Sequence, residues 1–270
     1  MMVGMVQPRP QVVAHRGASA VEAEHTLAAY VMALDQGVDA FECDVRLTSD
    51  GHLVCVHDRD LRRTAQQDKI VSTMELSDLE QLDVSSWKHP WAELDEERPD
   101  TDPELGRVLT LRRLMETAAA YPRRVELAIE TKHPTRYAGL VERRLVQLLE
   151  EFGWAGTGSP VRVMSFSWVA LRRIGRLAPH LDLVLLVDHR PQWYRVRPFL
   201  DPDWIMGPGM DMVRSHPEVI QRERDRGRRV HCWTVNTPQD VERCRALGIE
   251  ALITDTPDAV VRHLDAHRGR

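Results

Sequence analysis

The stretch Ala40–Asp58, AFECDVRLTSDGHLVCVHD, decides how the rest of the chain is read. It reads as two strands joined by a turn. From Phe41 to Leu47 the side chains alternate faces at period two, so Glu42 and Asp44 project from one face and Cys43 and Val45 from the other. Ser49-Asp50-Gly51 carries turn chemistry, with the glycine supplying a positive φ. The second strand runs from His52 to Asp58. A two-residue loop at Ser49-Asp50 sets His57 opposite Glu42; one at Asp50-Gly51 sets it opposite Asp44. Either register puts the imidazole on the face of the two carboxylates. Two acids and an imidazole converging on one spot make a hard-metal site with a proton-transfer group beside it. A Glu-x-Asp on a strand is otherwise a solvated face. Here Phe41, Val45, Leu53, Val54 and Val56 read as core, and charges so close to a core need partners.

Upstream, Gln11 to His15 is a short buried strand that ends in His15-Arg16-Gly17, where the glycine permits a sharp exit. The imidazole can move a proton and the guanidinium can hold a phosphate. A helix is expected from about Glu24 to Gln36, with Leu27, Tyr30, Val31 and Leu34 as its apolar stripe and Gly37 at its end. Downstream, periodicity fails between Arg59 and Arg107, which is polar and acidic with one weak helix, Leu76 to Leu82. This segment reads either as an insertion packing over the site or as a solvated excursion. Order resumes at Thr110, a cap for a helix bearing Leu111, Leu114, Met115 and Ala118.

Further strands are expected at Val125–Thr131, Val161–Phe166, Leu181–Val187, Trp204–Met206, Arg229–Val235 and Ala251–Thr254. Helices fall between them: Tyr137 to Phe152, and others capped by Ser167, near Ser215, at Thr237 and at Thr256. The continuous apolar run of Leu181–Val187 marks a strand buried on both sides. Glu130-Thr131-Lys132 repeats the i, i+2 logic with a carboxylate and an ammonium. This alternation is that of an α/β protein. It yields nine strand-like segments, one more than a (β/α)8 barrel needs, and the surplus is His52 to His57 as an antiparallel return arm. Polar residues end the strands at His15-Arg16, Glu42-Asp44, Glu130-Lys132, Ser165 and Trp233, where such a barrel carries its chemistry. An open doubly wound sheet is the alternative; it wants a Gly-rich phosphate loop after the first strand, and none is present.

Composition narrows the function class. The 270 residues are 43% hydrophobic and 29% charged, ordinary for a soluble globular protein. A net charge of −5 gives no electrostatic case for nucleic acid. The Arg-rich run Arg222–Arg229 alternates with acids as a solvated helix face does. No apolar run is long enough for a transmembrane segment, and the N-terminal residues show no signal-peptide pattern. Cys43, Cys55, Cys232 and Cys244 lack metal-ligand spacing, and Cys43 and Cys55 fall on opposite faces of the expected hairpin. They read as reduced core residues of a cytoplasmic protein. His89, His133, His180, His189, His216 and His231 have no constellation around them.

The motifs, in order and at their spacings, resemble the glycerophosphodiester phosphodiesterase family, a TIM-barrel group. The likeness covers nearly the whole chain, as one domain over 1–270 with an insertion at 59–107. It rests on His15-Arg16-Gly17, Ala23-Glu24-His25-Thr26, Glu42-Cys43-Asp44-Val45, His57-Asp58, Glu130-Thr131-Lys132, Ser165-Phe166, Trp233-Thr234-Val235-Asn236 and Thr254-Asp255-Thr256-Pro257. The family's Pro-Glu-Asn-Thr element is altered here, with Ala23 and His25 for its proline and asparagine; His25 is expected to be structural. The resemblance implies a divalent ion, Ca²⁺ or Mg²⁺, held by Glu42, Asp44 and Glu130, with His15 and His57 as the acid/base pair. Arg16 and Lys132 would stabilise the phosphoryl oxygens, and Trp233 would pack on the substrate or in the core. Glu24, Ser165 and Asn236 would be supporting residues. The implied partner is a small-molecule phosphodiester. Two other functions share these motifs: a lysophospholipase D acting on longer lipids, and a non-catalytic phosphate-binding relative. The latter would be marked by loss of a histidine or ligand from the set. The oligomeric state is not legible.

Overall fold

Eight parallel strands form a barrel in the computed structural model, which describes residues 8–91 and 102–267. The N-terminal run and the acidic stretch 92–101, on which two of the expectations above rest, lie outside the described residues. The strands in chain order are β1 (Gln11–His15), β2 (Ala40–Leu47), β3 (Leu53–Cys55), β4 (Asp60–Leu61), β5 (Gln67–Ile70), β6 (Glu126–Thr131), β7 (Val161–Ser165), β8 (Asp182–Val187), β9 (Ile205–Pro208), β10 (His231–Cys232) and β11 (Ala251–Thr254). The sheet runs β10-β11-β1-β2-β6-β7-β8-β9. Two parallel bridges, Met206 to Val230 and Gly209 to Trp233, join β9 to β10 and close the ring. The surplus segment is β3, which pairs antiparallel with β2 outside the ring, as the sequence implied.

Period-two alternation sorts each strand into two layers. Val13, Ala40, Ala128, Met164, Val184, Ile205, Ala251 and Ile253 fill the barrel interior. Phe41, Cys43, Val45, Leu127, Ile129, Val163 and Leu185 face outward into a larger core shared with the helices. The segment after β3 has a third cluster of its own, in which Leu61, Val71, Met74, Leu79 and Val84 pack on Val54 and Val56. Part of it is the small β4–β5 sheet. The described part of this segment, 59–91 and 102–107, is therefore anchored to the hairpin by apolar packing.

Three of the expected caps form: Thr110 accepts from the Arg113 N–H, Ser167 from that of Ala170 and Thr237 from that of Asp240. Thr256 precedes the last helix, Pro257–Ala266, without a side-chain cap bond. The first helix is shorter than expected, Leu27–Asp35, with Thr26 as its cap. Its buried stripe is Ala29, Tyr30, Ala33 and Leu34, because two alanines let the helix lie close to the barrel; Val31 is exposed. The Arg229–Val235 strand contracts to two residues because its flanks are spent on the closing bridges. No described helix is long and apolar enough to cross a membrane.

The hairpin register differs from both alternatives. Val45 pairs with Cys55, Arg46 with Val54 and Leu47 with Leu53. Thr48 and His52 close a three-residue loop, with the Thr48 N–H donating to the His52 carbonyl at 2.9 Å and the Thr48 hydroxyl accepting from the His52 N–H at 2.8 Å. Continued regularly, this register would set His57 opposite Cys43, on the wrong face. The strand instead ends at Cys55, and Arg46 holds the His57 carbonyl through Nε and Nη2 at 3.1 and 2.7 Å. The same register puts Cys43 and Cys55 on one face, correcting the sequence expectation. All four cysteines are buried free thiols.

Candidate active site

The C-terminal ends of β1, β2, β6 and β11 deliver the polar residues to one rim of the barrel. On β2, Glu42 and Asp44 follow inward-facing Ala40; on β6, Glu130 follows Ala128. The register pairs Asp44 with Glu130, so the three acids meet. All three are buried, and an oxygen of each lies within 4.8 Å of the others. Three carboxylates in so small a volume repel one another and need cations. Lys132 Nζ lies 3.2 Å from Asp44 and 3.0 Å from Glu130. Arg16 Nε lies 3.1 Å from Asp44, and the Arg16 backbone N–H donates to Glu42 Oε2 at 3.1 Å.

Two fixed positive charges against three carboxylates leave the site short of positive charge, and the pKa directions show it. Burial and the neighbouring Asp44 push Glu42 well above the usual carboxylate range. The same two causes raise Glu130 to about 8, against the pull of Lys132. Burial also pushes Asp44 upward, but the hydrogen bond from His25 and the charges of Lys132 and Arg16 outweigh it, and Asp44 sits well below that range. An all-oxygen set of this kind fits a divalent hard cation, which would supply the missing charge.

Two histidines flank the triad. His15 Nδ1 lies 2.6 Å from Asp255 Oδ1, and its Nε2 is 4.0 Å from Glu42. His57 Nδ1 lies 2.8 Å from Asp58 Oδ1. A carboxylate only accepts, so each Nδ1–H donates and each Nε2 is left for chemistry. Burial lowers the pKa of His57 against the attraction of Asp44. Asp255 is held at about 2: burial raises it, but the bonds from His15, Asn236 and Ser19 prevail. Asn236 Nδ2 donates to Asp255 Oδ2 at 2.7 Å.

Arg16 follows β1 with φ +59°, and Gly17 follows with φ +87°. A Cβ at Gly17 would stand 2.6 Å from the Ala29 carbonyl carbon, so both the conformation and the space require glycine. Arg16 Nη1 donates to Glu24 Oε1 at 3.1 Å, and Arg63 clamps both Glu24 and Asp58. Arg63 comes from the segment after β3 and was not legible as a site residue; nor was Asp255, 240 positions from its partner. The remaining predicted residues lie around this centre. Ser165 donates to the Thr131 carbonyl at 3.0 Å, and Trp233 packs edge-on against Phe166 inside the barrel, its Nε1–H donating to the Gly207 carbonyl at 2.9 Å.

His25, expected to be structural, touches the triad directly. Its Nε2 lies 2.9 Å from Asp44 Oδ2, and the Tyr30 hydroxyl sits 3.0 Å from both its Nδ1 and the Glu42 carbonyl oxygen. Burial lowers the His25 pKa despite Asp44. The signal available in sequence was its place beside Glu24 before the first helix.

The chain matches the family model described as the Glycerophosphoryl diester phosphodiesterase family over residues 15–259. It is 43% identical over 264 residues to a probable glycerophosphodiester phosphodiesterase 1 of Mycobacterium tuberculosis, covering 96% of this chain and 94% of that protein. It is 30% identical over 251 residues to a glycerophosphodiester phosphodiesterase of Bacillus subtilis, covering 91% and 83%. Among solved structures, an Oleispira antarctica phosphodiesterase in complex with the product sn-glycerol-3-phosphate superposes with a TM-score of 0.80 at 25% identity, over 95% of this chain and 97% of that one. With the match running from His15 to beyond the last strand, the chain belongs to the glycerophosphoryl diester phosphodiesterase family of enzymes.

Proposed function

We propose that the protein hydrolyses glycerophosphodiesters to sn-glycerol 3-phosphate and an alcohol, with Mg²⁺ or Ca²⁺ held by Glu42, Asp44 and Glu130. The observation that carries this reading is the pair of His–Asp contacts flanking a buried carboxylate triad. When bound, the ion polarises a phosphoryl oxygen and stabilises the charge that develops on it. Arg16 and Lys132, each partly open to solvent, hold the other phosphoryl oxygens. His15 and His57 divide the proton transfers: one takes the proton of the attacking group, water or the substrate's own glycerol hydroxyl, and the other returns one to the leaving alkoxide; where the hydroxyl attacks, water then opens the cyclic phosphate to glycerol 3-phosphate with the two roles exchanged. Asp255 and Asp58 fix the tautomers that this needs. Glu24 orients Arg16, Asn236 orients Asp255, Ser165 ties the end of β7 to β6, and Trp233 forms an apolar wall for the glycerol carbons. The segment 59–107 is an insertion in a single barrel domain, and it shapes the pocket through Arg63. Two buried thiol pairs, Cys43 with Cys55 and Cys232 with Cys244, remain reduced and suit a cytoplasmic setting.

A second substrate class, lysophospholipids, is favoured by the exposed apolar side chains of Val21 and Trp91. Their segments are tied together where Lys88 donates to the Ser19 carbonyl and the His89 ring contacts the Val21 carbonyl. The test is release of glycerol 3-phosphate from glycerophosphocholine with Mg²⁺, Ca²⁺ or EDTA, alongside an acylated diester. Metal-dependent release from the short diester is expected, and its loss in folded His15→Ala and His57→Ala variants. Full activity in either variant would sink the role given to that histidine.

A further inference from the structure

We propose that Glu242, His263 and His267 form a second metal site, for a borderline transition ion such as Zn²⁺, on the outside of the barrel. The two helices Pro238–Ala246 and Pro257–Ala266 lie against each other after β10 and β11. His263 and His267 are one helical turn apart, with ring centroids separated by 4.5 Å. Glu242 reaches across from the neighbouring helix, its Oε1 2.7 Å from His263 Nε2. His267 Nδ1 donates to the His263 carbonyl at 2.7 Å, which orients the ring and leaves Nε2 as its ligand atom. One donor atom of each of the three residues lies within 4.8 Å of the others.

The donor chemistry separates this site from the barrel rim. Two imidazoles and one carboxylate suit Zn²⁺, with a water completing the tetrahedron, whereas three buried carboxylates suit Mg²⁺ or Ca²⁺. The ion takes the place of the proton between His263 and Glu242. Arg245, now 2.9 Å from Glu242 Oε1, is the cation it displaces; the other arginine near this face, Arg262, is paired with Asp258 at 2.6 Å. Glu242 and both imidazoles are partly open to solvent, so the ion has a path in. Bound there, it clamps the last helix of the chain to its neighbour.

The test uses the intact protein, stripped of metal and then held in excess Mg²⁺ so that the rim site is satisfied. Zn²⁺ is titrated calorimetrically, and thermal unfolding is followed with and without it. One Zn²⁺ per chain is expected, with a rise in the unfolding temperature. His263→Ala and His267→Gln are each expected to weaken binding by at least about tenfold and to abolish the thermal shift. His267→Gln alters only the helix end and keeps the question decidable if His263→Ala fails to fold. Co²⁺ supplies an independent reading: the absorption of a tetrahedral nitrogen-ligated ion is expected in the wild type and not in the variants. No Zn²⁺ bound by the wild type, or equal Zn²⁺ binding by wild type and His267→Gln, overturns the proposal.

Discussion

His15 and Asp255 join the first and last strands of the barrel through a 2.6 Å contact between Nδ1 and Oδ1. The carboxylate fixes the tautomer and leaves Nε2 facing Glu42. Asp255→Asn keeps the size of the side chain but is free to present its amide, which reverses the tautomer. Turnover is expected to fall by about 10²–10⁴-fold with little change in KM. Steady-state kinetics on a short glycerophosphodiester check it; a loss confined to KM would place Asp255 in binding instead.

The contact between His25 and Asp44 predicts a graded series. His25→Leu removes a hydrogen bond to a buried carboxylate and is expected to cost about 2 kcal/mol, read by urea unfolding. His25→Gln carries an amide N–H to about the position of Nε2 and is expected to recover part of the loss. Equal stability of the two variants would mean that the imidazole is mere filling.

Glu24 carries a pH signature. Burial raises its pKa, but the Arg63 hydrogen bonds and the Arg16 charge bring it down to about 2, from an ordinary 4.5. A depressed carboxylate contributes stability that is full above about 4.5 and disappears as the pH falls through about 2. With a discount for solvent screening, the contribution is on the order of 2 kcal/mol. The stability gap between the wild type and Glu24→Gln is therefore expected to be constant above about pH 5 and to narrow as the pH falls from about 4.5 toward about 2. A gap that stays constant down to about pH 2 would contradict this.

Gly17→Ala is expected to be among the most damaging single changes, costing more than about 3 kcal/mol. It combines a positive φ with a backbone collision at Ala29. Gly37 also has a positive φ but has open space around it, so Gly37→Ala is expected to cost only about 1 kcal/mol. Thermal unfolding of the two side by side separates strain from collision.

At the opposite end of the barrel, Arg162 is buried, with its Nε and Nη2 unpartnered among the described residues and one bond to Glu126 at 3.3 Å. Burial draws its pKa down to about 10, which still leaves it charged at neutral pH. Glu126 is partly open to solvent and keeps the Gln11 amide at 2.9 Å, so no buried charge is stranded, and Arg162→Met is expected to leave stability unchanged or raise it by about 1 kcal/mol, with activity intact. A loss of several kcal/mol would show that the pair with Glu126 is worth more than its desolvation.

Legibility in the sequence followed periodicity. Alternation sufficed to put Glu42 with Asp44 along β2 and Glu130 with Lys132 along β6, the family resemblance joined the three acids into one set, and the strand count together with the hairpin turn marked the surplus strand. The register of β2 with β3 was not legible, because it turns on whether the loop holds two residues or three, and Thr48 decides that by bonding across the loop. Arg63 was hidden in a segment without periodicity. Asp255 lay in a quoted motif, but its role depends on ring closure, which brings β11 beside β1. The short helix Arg190–Val196 escaped because no side chain caps it.

The two bridges between β9 and β10 make a seam in an otherwise continuous ring. A sheet opens first where it is held by the fewest hydrogen bonds. The carboxylate triad rides on β2 and β6, in the middle of the ladder and far from that seam. Asn236, which steadies Asp255 and through it His15, lies just past the seam strand. On warming, the molecule should therefore lose its proton-transfer alignment before its metal cage: a protein that still binds the ion but no longer turns over.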